Sequence, residues 1–237
     1  MGMENLYSFV GSRRLVSAGR RVGLALFLAT IASVAGCTNL LQSIATGLAP
    51  DPVEAPSYTA MAHQKCGILV QTDPGTRIEW PDLELDTANS LQSKLKTAID
   101  AKTKELEGLT LVESASVRQY MDNHPELDSV PIATIAAPLP MTRMIYIDID
   151  DFSTRPQQTV DLYRGLMQAK VSVVEIKDGK ATVTFTSDPI KIIDPPGTPE
   201  EGSPDVDERK LYGETIDDFT TKCAELFVPH PPPGDEP

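Results

Sequence analysis

The segment Met144–Phe152 constrains the fold of this chain more than any other stretch of its sequence. Isoleucine occupies positions 145, 147 and 149, and tyrosine or aspartate stands between them. Successive side chains of a strand point to opposite faces, so this alternation predicts a strand with one apolar and one polar face. Such a strand must pair with others and bury its isoleucines against a second layer.

Partner strands are predicted in four other segments. A long strand over about residues 162–177 runs into Asp178-Gly179, a strong two-residue hairpin signal, and its antiparallel partner follows directly. The short apolar run Gly67–Thr72 suits an interior strand, and residues 109–113 form a further strand candidate.

Four segments carry helical periodicity. The first lies early, over about residues 87–107, with Asp86 as a candidate N-cap and Gly108 as a candidate C-cap. A short helix is predicted after Ser114 as its cap, stopped by Asn123 and Pro125, and two more are predicted over about residues 131–137 and 206–227.

The predicted order of elements is β-α-β-α-(α)-β-β-β-α. It defines one α/β domain over residues 66–228, a three-layer-like arrangement in which helices pack on a mixed sheet. The early β-α-β unit predicts a parallel pair of strands, and the hairpin adds an antiparallel pair.

Residues 1–36 have the organisation of a bacterial signal peptide. An apolar run from Val22 to Ala35 follows four arginines, at positions 13, 14, 20 and 21. As a helix this run would be roughly 21 Å long, too short for a hydrocarbon core of about 30 Å. A short buried helix is the alternative, but the arginines and the small residues at the exit argue against it.

The exit from this run, Val34-Ala35-Gly36-Cys37, resembles the lipobox of bacterial lipoproteins. The resemblance implies cleavage between Gly36 and Cys37 and attachment of fatty acids such as palmitate at Cys37. Two or more acyl chains anchor a protein stably in a membrane. Because Thr38 stands where an aspartate would mark retention in the inner membrane, the resemblance favours the outer membrane, with the domain facing the periplasm.

Two segments outside the domain are expected to lack regular structure. Residues 37–65 contain Pro50, Pro52 and Pro56, which predicts a flexible tether behind the lipidated cysteine. Residues 229–237 are proline-rich and are expected to be a disordered tail.

The domain resembles a group of envelope proteins in its order of elements and apolar pattern. The resemblance rests on the strand Gly67–Thr72, the helix with Leu91-x-x-x-Leu95, and the segments Met144–Ile149 and Ala169–Val174 with their hairpin. Together these look like the α/β periplasmic domain shared by curli-secretion-channel lipoproteins, penicillin-binding-protein activator lipoproteins and the N-terminal domain of the Tol-Pal β-propeller protein. The resemblance implies a non-enzymatic role in envelope assembly, secretion or regulation, with an envelope protein as partner. The sequence lacks the pair of long amphipathic segments that would build a membrane barrel, so an accessory role fits better than a pore.

The charge of the chain excludes some partners. The chain has 34 acidic and 21 basic residues, a net charge of -13, and four of the basic residues precede Cys37. An acidic domain repels phosphate backbones, so no nucleic-acid partner is predicted. The domain is also a poor electrostatic ligand for anionic lipid, so its membrane contact is predicted to come from the lipid anchor.

Carboxylates and serines provide the only candidate chemistry. Asp148, Asp150 and Asp151 could begin a cation site, but a solvated or helix-covered strand face is the simpler interpretation, because the spacing of an EF-hand is missing. Ser114 and Ser116 lack the sharp G-x-S-x-G turn of a nucleophile and are more simply a helix cap.

Metal ligands are equally sparse. His63 and Cys66 could offer two ligands, but no second pair accompanies them. We therefore predict no catalytic residue, no metal and no cofactor. The alternative function is a lipid-anchored periplasmic hydrolase that uses dispersed carboxylates.

Two cysteines remain once Cys37 is lipidated. Cys66 begins the first strand and Cys223 lies on the apolar stripe of the last helix. Pairs of cysteines tend to be oxidised outside the cytosol, so a Cys66–Cys223 disulfide is one prediction. Two separate cysteines, with Cys223 as a small buried hydrophobe, are the other.

Overall fold

A six-stranded mixed sheet forms the centre of the computed structural model, which describes residues 52–156, 161–204 and 206–232. The predicted signal peptide, the cleavage site at Gly36 and the lipidation site at Cys37 lie outside the described residues. The last residues of the predicted tail, 233–237, lie outside them as well.

The sheet has a parallel half and an antiparallel half. Its strands are β1 (Lys65–Thr72), β2 (Thr110–Leu111), β3 (Arg143–Ser153), β4 (Gly165–Lys177), β5 (Lys180–Thr186) and β6 (Ile190–Asp194). Their order is β2-β1-β3-β4-β5, and β6 pairs with the first part of β4 beside β5. β1 is parallel to β2 and β3, whereas β3–β4, β4–β5 and β4–β6 are antiparallel.

Helices cover both faces of the sheet. They are α1 (Pro74–Glu79), α2 (Leu83–Asp100), α3 (Ser114–Asp122), α4 (Ile132–Ala136) and α5 (Glu208–Glu225), with short 3-10 turns at Lys104–Leu106 and Pro125–Ser129. α2 and α5 share one core cluster with the sheet, and α3 and α4 share the other. The predicted α/β class, the mixed sheet and the three layers are thus confirmed.

The alternation in β3 sorts residues between the two cores. Ile145, Ile147 and Ile149 belong to the cluster beneath α2 and α5. Met144, which points the other way, belongs to the cluster with Val117 of α3. Both faces are therefore apolar near the start of β3, and the polar side of the alternation begins only at Tyr146.

The first long helix is displaced from its predicted position. It begins at Leu83 rather than at 87, directly after the Pro81-Asp82 step. It ends at Asp100 rather than near 107, because Lys102 takes a positive φ of 59° that ends the helical path. The predicted C-cap Gly108 instead closes the following 3-10 turn, with a φ of 68°.

A short helix that was not predicted from the sequence forms between β1 and α2. The side chain of Asp73 accepts hydrogen bonds from the backbone N–H groups of Gly75 and Thr76, which caps α1. Hydrogen bonds from Thr76 hold the pKa of the Asp73 carboxyl below its usual range. Proline at the first position of α1 is compatible with this cap, because its missing N–H has no partner in the helix.

The predicted tether and tail are partly built into the domain. Tyr58 and Met61 are buried in the main core, and the backbone N–H of Tyr58 donates to the carbonyl of Leu226. Glu54 and His230 exchange backbone hydrogen bonds of 2.8 and 3.2 Å as an isolated antiparallel bridge. The prediction of a tether up to residue 65 is therefore wrong from residue 53 onward, because apolar side chains in this segment have a core to enter.

Gly165 shows how closely β4 and α5 approach one another. A Cβ atom at this position would lie 2.0 Å from Oγ1 of Thr215 and 3.3 Å from Cδ1 of Leu211. Thr215 is fully buried and its hydroxyl donates to the Leu211 carbonyl, so it has little room to move.

We predict that Gly165→Ala lowers the free energy of unfolding by about 1–3 kcal/mol, the usual cost of overpacking. Urea denaturation followed by circular dichroism measures the change. Gly179→Ala is a poor control because its φ is 70°, whereas Gly213→Ala places a Cβ in open space within α5. Equal stability of Gly165→Ala and Gly213→Ala would contradict the close approach.

Candidate functional site

The carboxyl end of β1 lies at a switch point of the sheet. The connection from β1 to β2 runs through α2 on one face, and the connection from β2 to β3 runs through α3 and α4 on the other. In open α/β sheets, ligands bind in the crevice that such diverging connections leave. Residues 73–86, which form α1 and the start of α2, line this edge.

A cluster of charges occupies the α3 side of this edge. Glu84, 4% exposed, accepts hydrogen bonds from Nε of Arg77 at 3.0 Å and from the Thr72 backbone N–H at 3.0 Å. The guanidinium of Arg118 donates to the other Glu84 oxygen and to Asp122 at 2.9 Å. The four charged residues line a cavity of about 190 Å³. Because each charged group in this cluster is paired with an opposite charge, the cluster has a structural role: it links α1, α2 and α3.

We predict that Glu84→Gln lowers the free energy of unfolding by about 2 kcal/mol. The change leaves two guanidinium groups facing a neutral amide, and the cost stays below that of a fully buried pair because both arginines are partly exposed. Urea denaturation measures the effect.

The matched control is Asp122→Asn, which removes an exposed partner of the same arginine. It should change the stability by less than about 0.5 kcal/mol. Equal effects of the two variants would show that burial of Glu84 contributes nothing.

Three aromatic rings occupy the α5 side of the same edge. Trp80 stacks on Tyr212 with ring centroids 5.4 Å apart, and both rings meet Phe152 edge-on, at 5.4 and 5.6 Å. The hydroxyl of Tyr212 donates to Oδ2 of Asp86 at 2.9 Å. Burial, and then the Asp86 carboxylate, raise the pKa of Tyr212 well above its usual value, so this hydroxyl stays protonated.

The rings of Trp80 and Tyr212 border a cavity of about 340 Å³ between the start of α2 and the start of α5. We call it the aromatic pocket; its lining residues are Trp80, Pro81, Asp82, Asp86, Glu208, Arg209 and Tyr212. Glu208 is held by Arg155 through hydrogen bonds of 3.0 and 2.7 Å and by the Thr154 hydroxyl at 2.9 Å. The hydrogen bond from Arg155 lowers the pKa of Glu208, which is therefore a fixed carboxylate.

The three aspartates that were candidates for a cation site lie on β3 with their side chains in solvent. Asp148, Asp150 and Asp151 are exposed on β3, and Asp148 lies opposite Lys170 of β4. Partial burial, followed by repulsion from Asp150, raises the pKa of Asp148. In the ranges that the structure describes, no three histidine, cysteine, aspartate or glutamate side chains form a group that could hold a metal ion.

The other candidate side chains have structural surroundings. The ring of His63 lies against Gly108, and the Cys66 thiol is buried and donates to the Gly67 carbonyl at 3.4 Å. The hydroxyl and the backbone N–H of Ser114 both donate to Oε1 of Gln92, which ties the start of α3 to α2.

Cys66 and Cys223 are free thiols in the structure, and both are buried in the core beneath α2 and α5. Burial raises the pKa of the Cys66 thiol to about 12 and raises that of Cys223 well above its usual value. Thiols with such pKa values react slowly as nucleophiles. The disulfide between them stays a prediction.

One buried carboxyl group stands apart from these sites. Asp194, at the end of β6, is 5% exposed, and its Oδ2 atom has no hydrogen-bond partner among the described residues. Burial, and then repulsion from Asp218 and Glu214 of α5, raise the pKa of Asp194 to about 6. Lys210 of the same helix offsets part of this shift.

A carboxyl group whose pKa is raised by folding stabilises the fold only while it is protonated. Its contribution is complete below the unfolded pKa of about 3.9 and is lost as the pH rises through about 6. We therefore predict that Asp194→Asn increases the free energy of unfolding at pH 7.5 by about 1–2 kcal/mol and has little effect at pH 4. Denaturation at both pH values measures this, with the exposed Asp188→Asn as control. A gain of the same size at pH 4 would contradict the assignment to this group.

Sequence reasoning did not find the aromatic pocket. Trp80 and Tyr212 lie far apart in the chain, and each fits an ordinary pattern, a loop for Trp80 and an apolar helical stripe for Tyr212. The sequence offered one signal of the pocket, the tripeptide Trp80-Pro81-Asp82. A tryptophan with a polar residue before it and a proline after it is unusual for a core position.

Comparisons with known proteins give distant structural similarity. No protein-family model matches the chain, and no curated protein matches it. Among solved structures, the PelC dodecamer from Paraburkholderia phytofirmans is 7% identical, with 76% of this chain and 99% of that chain covered and a TM-score of 0.40. The hypothetical protein CT253 from Chlamydia trachomatis is 15% identical, with coverage of 70% and 98% and a TM-score of 0.41. Lipoprotein GNA1162 from Neisseria meningitidis is 14% identical, with coverage of 68% and 97% and a TM-score of 0.40. At these TM-scores nothing about function follows from the similarity.

The helices of the described part of the chain include none that is long and apolar enough to cross a membrane. The fold and its edge thus define a three-layer α/β domain with a small pocket at the carboxyl end of its parallel strands.

Proposed function

We propose that the chain is a bacterial lipoprotein, anchored through acyl chains on Cys37, that binds an envelope protein partner without catalysing a reaction. The observation that carries the proposal is the sequence Val34-Ala35-Gly36-Cys37 at the end of a short apolar run behind four arginines. A thiol at that position can be alkylated before cleavage, and two or more acyl chains give stable anchoring.

The outer membrane is the proposed location, with the domain in the periplasm. Thr38 supports this location, because it replaces the aspartate that would favour the inner membrane. The acidic charge of the chain supports an anchor that depends on lipid rather than on attraction to anionic headgroups.

The surroundings of the candidate carboxylates support a binding role over a hydrolase. The side chains of Asp148 and Asp150 are exposed on β3, outside both cavities at the carboxyl edge. Glu84 and Glu208 are each held by arginine. A hydrolytic pair of carboxylates needs one group poised to give up or accept a proton near the substrate, and these contacts do not provide it.

We predict that Cys37→Ser abolishes processing and membrane attachment. Intact-mass analysis of protein extracted from membranes should show loss of residues 1–36 and added acyl mass for the natural chain, and neither for the variant. Thr38→Asp serves as control: it should be acylated normally but should move to the inner-membrane fraction on a sucrose gradient. Natural protein that still begins at residue 1 and carries no acyl mass would refute the proposal.

A further inference from the structure

We infer that the aromatic pocket is a saccharide-binding site that takes a neutral pyranose ring. Its cavity of about 340 Å³ falls within the range of about 300–1,000 Å³ that is usual for small-molecule sites. The inference goes beyond the proposed lipid anchor and does not depend on it, because the pocket belongs to the folded domain alone.

The wall of the pocket is apolar and fixed. Trp80, Pro81 and Tyr212 form it, and the two aromatic rings are stacked with an interplanar angle of 22°. Phe152 supports both rings from the side, and the bond to Asp86 fixes the Tyr212 hydroxyl. A rigid aromatic wall can receive the C–H face of a sugar ring with little loss of side-chain entropy.

The rim of the pocket carries hydrogen-bonding groups that the fold does not use. Asp82 occupies the N-cap position of α2, yet its side chain makes no capping hydrogen bond. The side chains of Asp82 and Arg209 form no hydrogen bond or ion pair within the described ranges, and both are exposed. The rim therefore offers a free acceptor and a free donor beside the aromatic wall.

The charges of the lining restrict the class of ligand. Three of the lining residues are carboxylates, Asp82, Asp86 and Glu208, and they repel an anion. Glu208 is already paired with Arg155, and a cation held by Asp82 and Asp86 would also meet the guanidinium of Arg209. A wholly apolar ligand would desolvate these groups without giving them hydrogen bonds. Neutral hydroxyl groups can donate to a carboxylate and accept from a guanidinium, and a pyranose ring carries such hydroxyls around an apolar face.

The chain provides its own probe, because Trp80 is its only tryptophan. The whole protein, purified in a polyoxyethylene detergent that contains no sugar, is titrated with N-acetylglucosamine trisaccharide, cellotriose and maltotriose up to about 20 mM, a range that covers weak binding. We expect a saturable change in tryptophan fluorescence with at least one of them, and a matching shift of the single indole N–H signal in NMR spectra.

Variants link this binding to the pocket. Asp82→Ala and Arg209→Ala should each weaken binding about fivefold or more, whereas Asp82→Asn, which keeps an acceptor oxygen, should bind more tightly than Asp82→Ala. Asp100→Asn, at the exposed far end of α2, should leave the dissociation constant unchanged. Thermal melting confirms that each variant is folded.

Three results would overturn the inference: no saturation by any of the three saccharides, unchanged binding in both rim variants, or saturation by a charged probe instead. Tetramethylammonium chloride and sodium acetate provide the charged probes. Saturation by either salt in the absence of saccharide binding would assign the pocket to a charged ligand.

Discussion

The pairing of β3 with both of its neighbours is the constraint on which the rest of the structure depends. β3 lies parallel to β1 from Arg143 to Ile149 and antiparallel to β4 along nearly its whole length. A slip of one residue would turn its three isoleucines from the α2–α5 core to the opposite face. Since both halves of the sheet are built on this one strand, its alternation fixes the register of each half.

α2 has a comparable role at the carboxyl edge. The first turn of this helix holds α3 through the contact between Glu84 and Arg118, and it holds α5 through the hydrogen bond between Asp86 and Tyr212. Glu84 and Asp86 are two positions apart in the helix, so their side chains point toward different neighbouring helices. The charge cluster and the aromatic pocket therefore both depend on where α2 begins. The sequence-based prediction placed this start four residues too late, and for this reason it revealed neither site.

Elements with strong local periodicity could be predicted from the sequence. β3, the hairpin of β4 and β5 and the final helix follow from spacing within a few residues, and the Asp178-Gly179 turn lies where the dipeptide indicated, with Asp178 and Gly179 both at positive φ. The packing of residues 53–64 could not be predicted in this way. Tyr58 is buried because it meets Phe185 and Phe227, and contacts over such separations leave no periodic signal near Tyr58 itself. The pocket escaped prediction for the same reason, since its wall combines Trp80 with Tyr212.

The bridge between Glu54 and His230 fixes where the preceding chain joins the domain. It places the point where the chain enters the fold beside the end of α5, whereas the aromatic pocket lies at the start of that helix. A helix of 18 residues is about 27 Å long, so the two ends of the domain are separated by roughly that distance. Only 15 positions lie between Cys37 and Val53, which limits the reach of the chain to about 50 Å even when fully extended. If Cys37 carries lipid, the point of attachment therefore joins the domain at the end opposite the aromatic pocket.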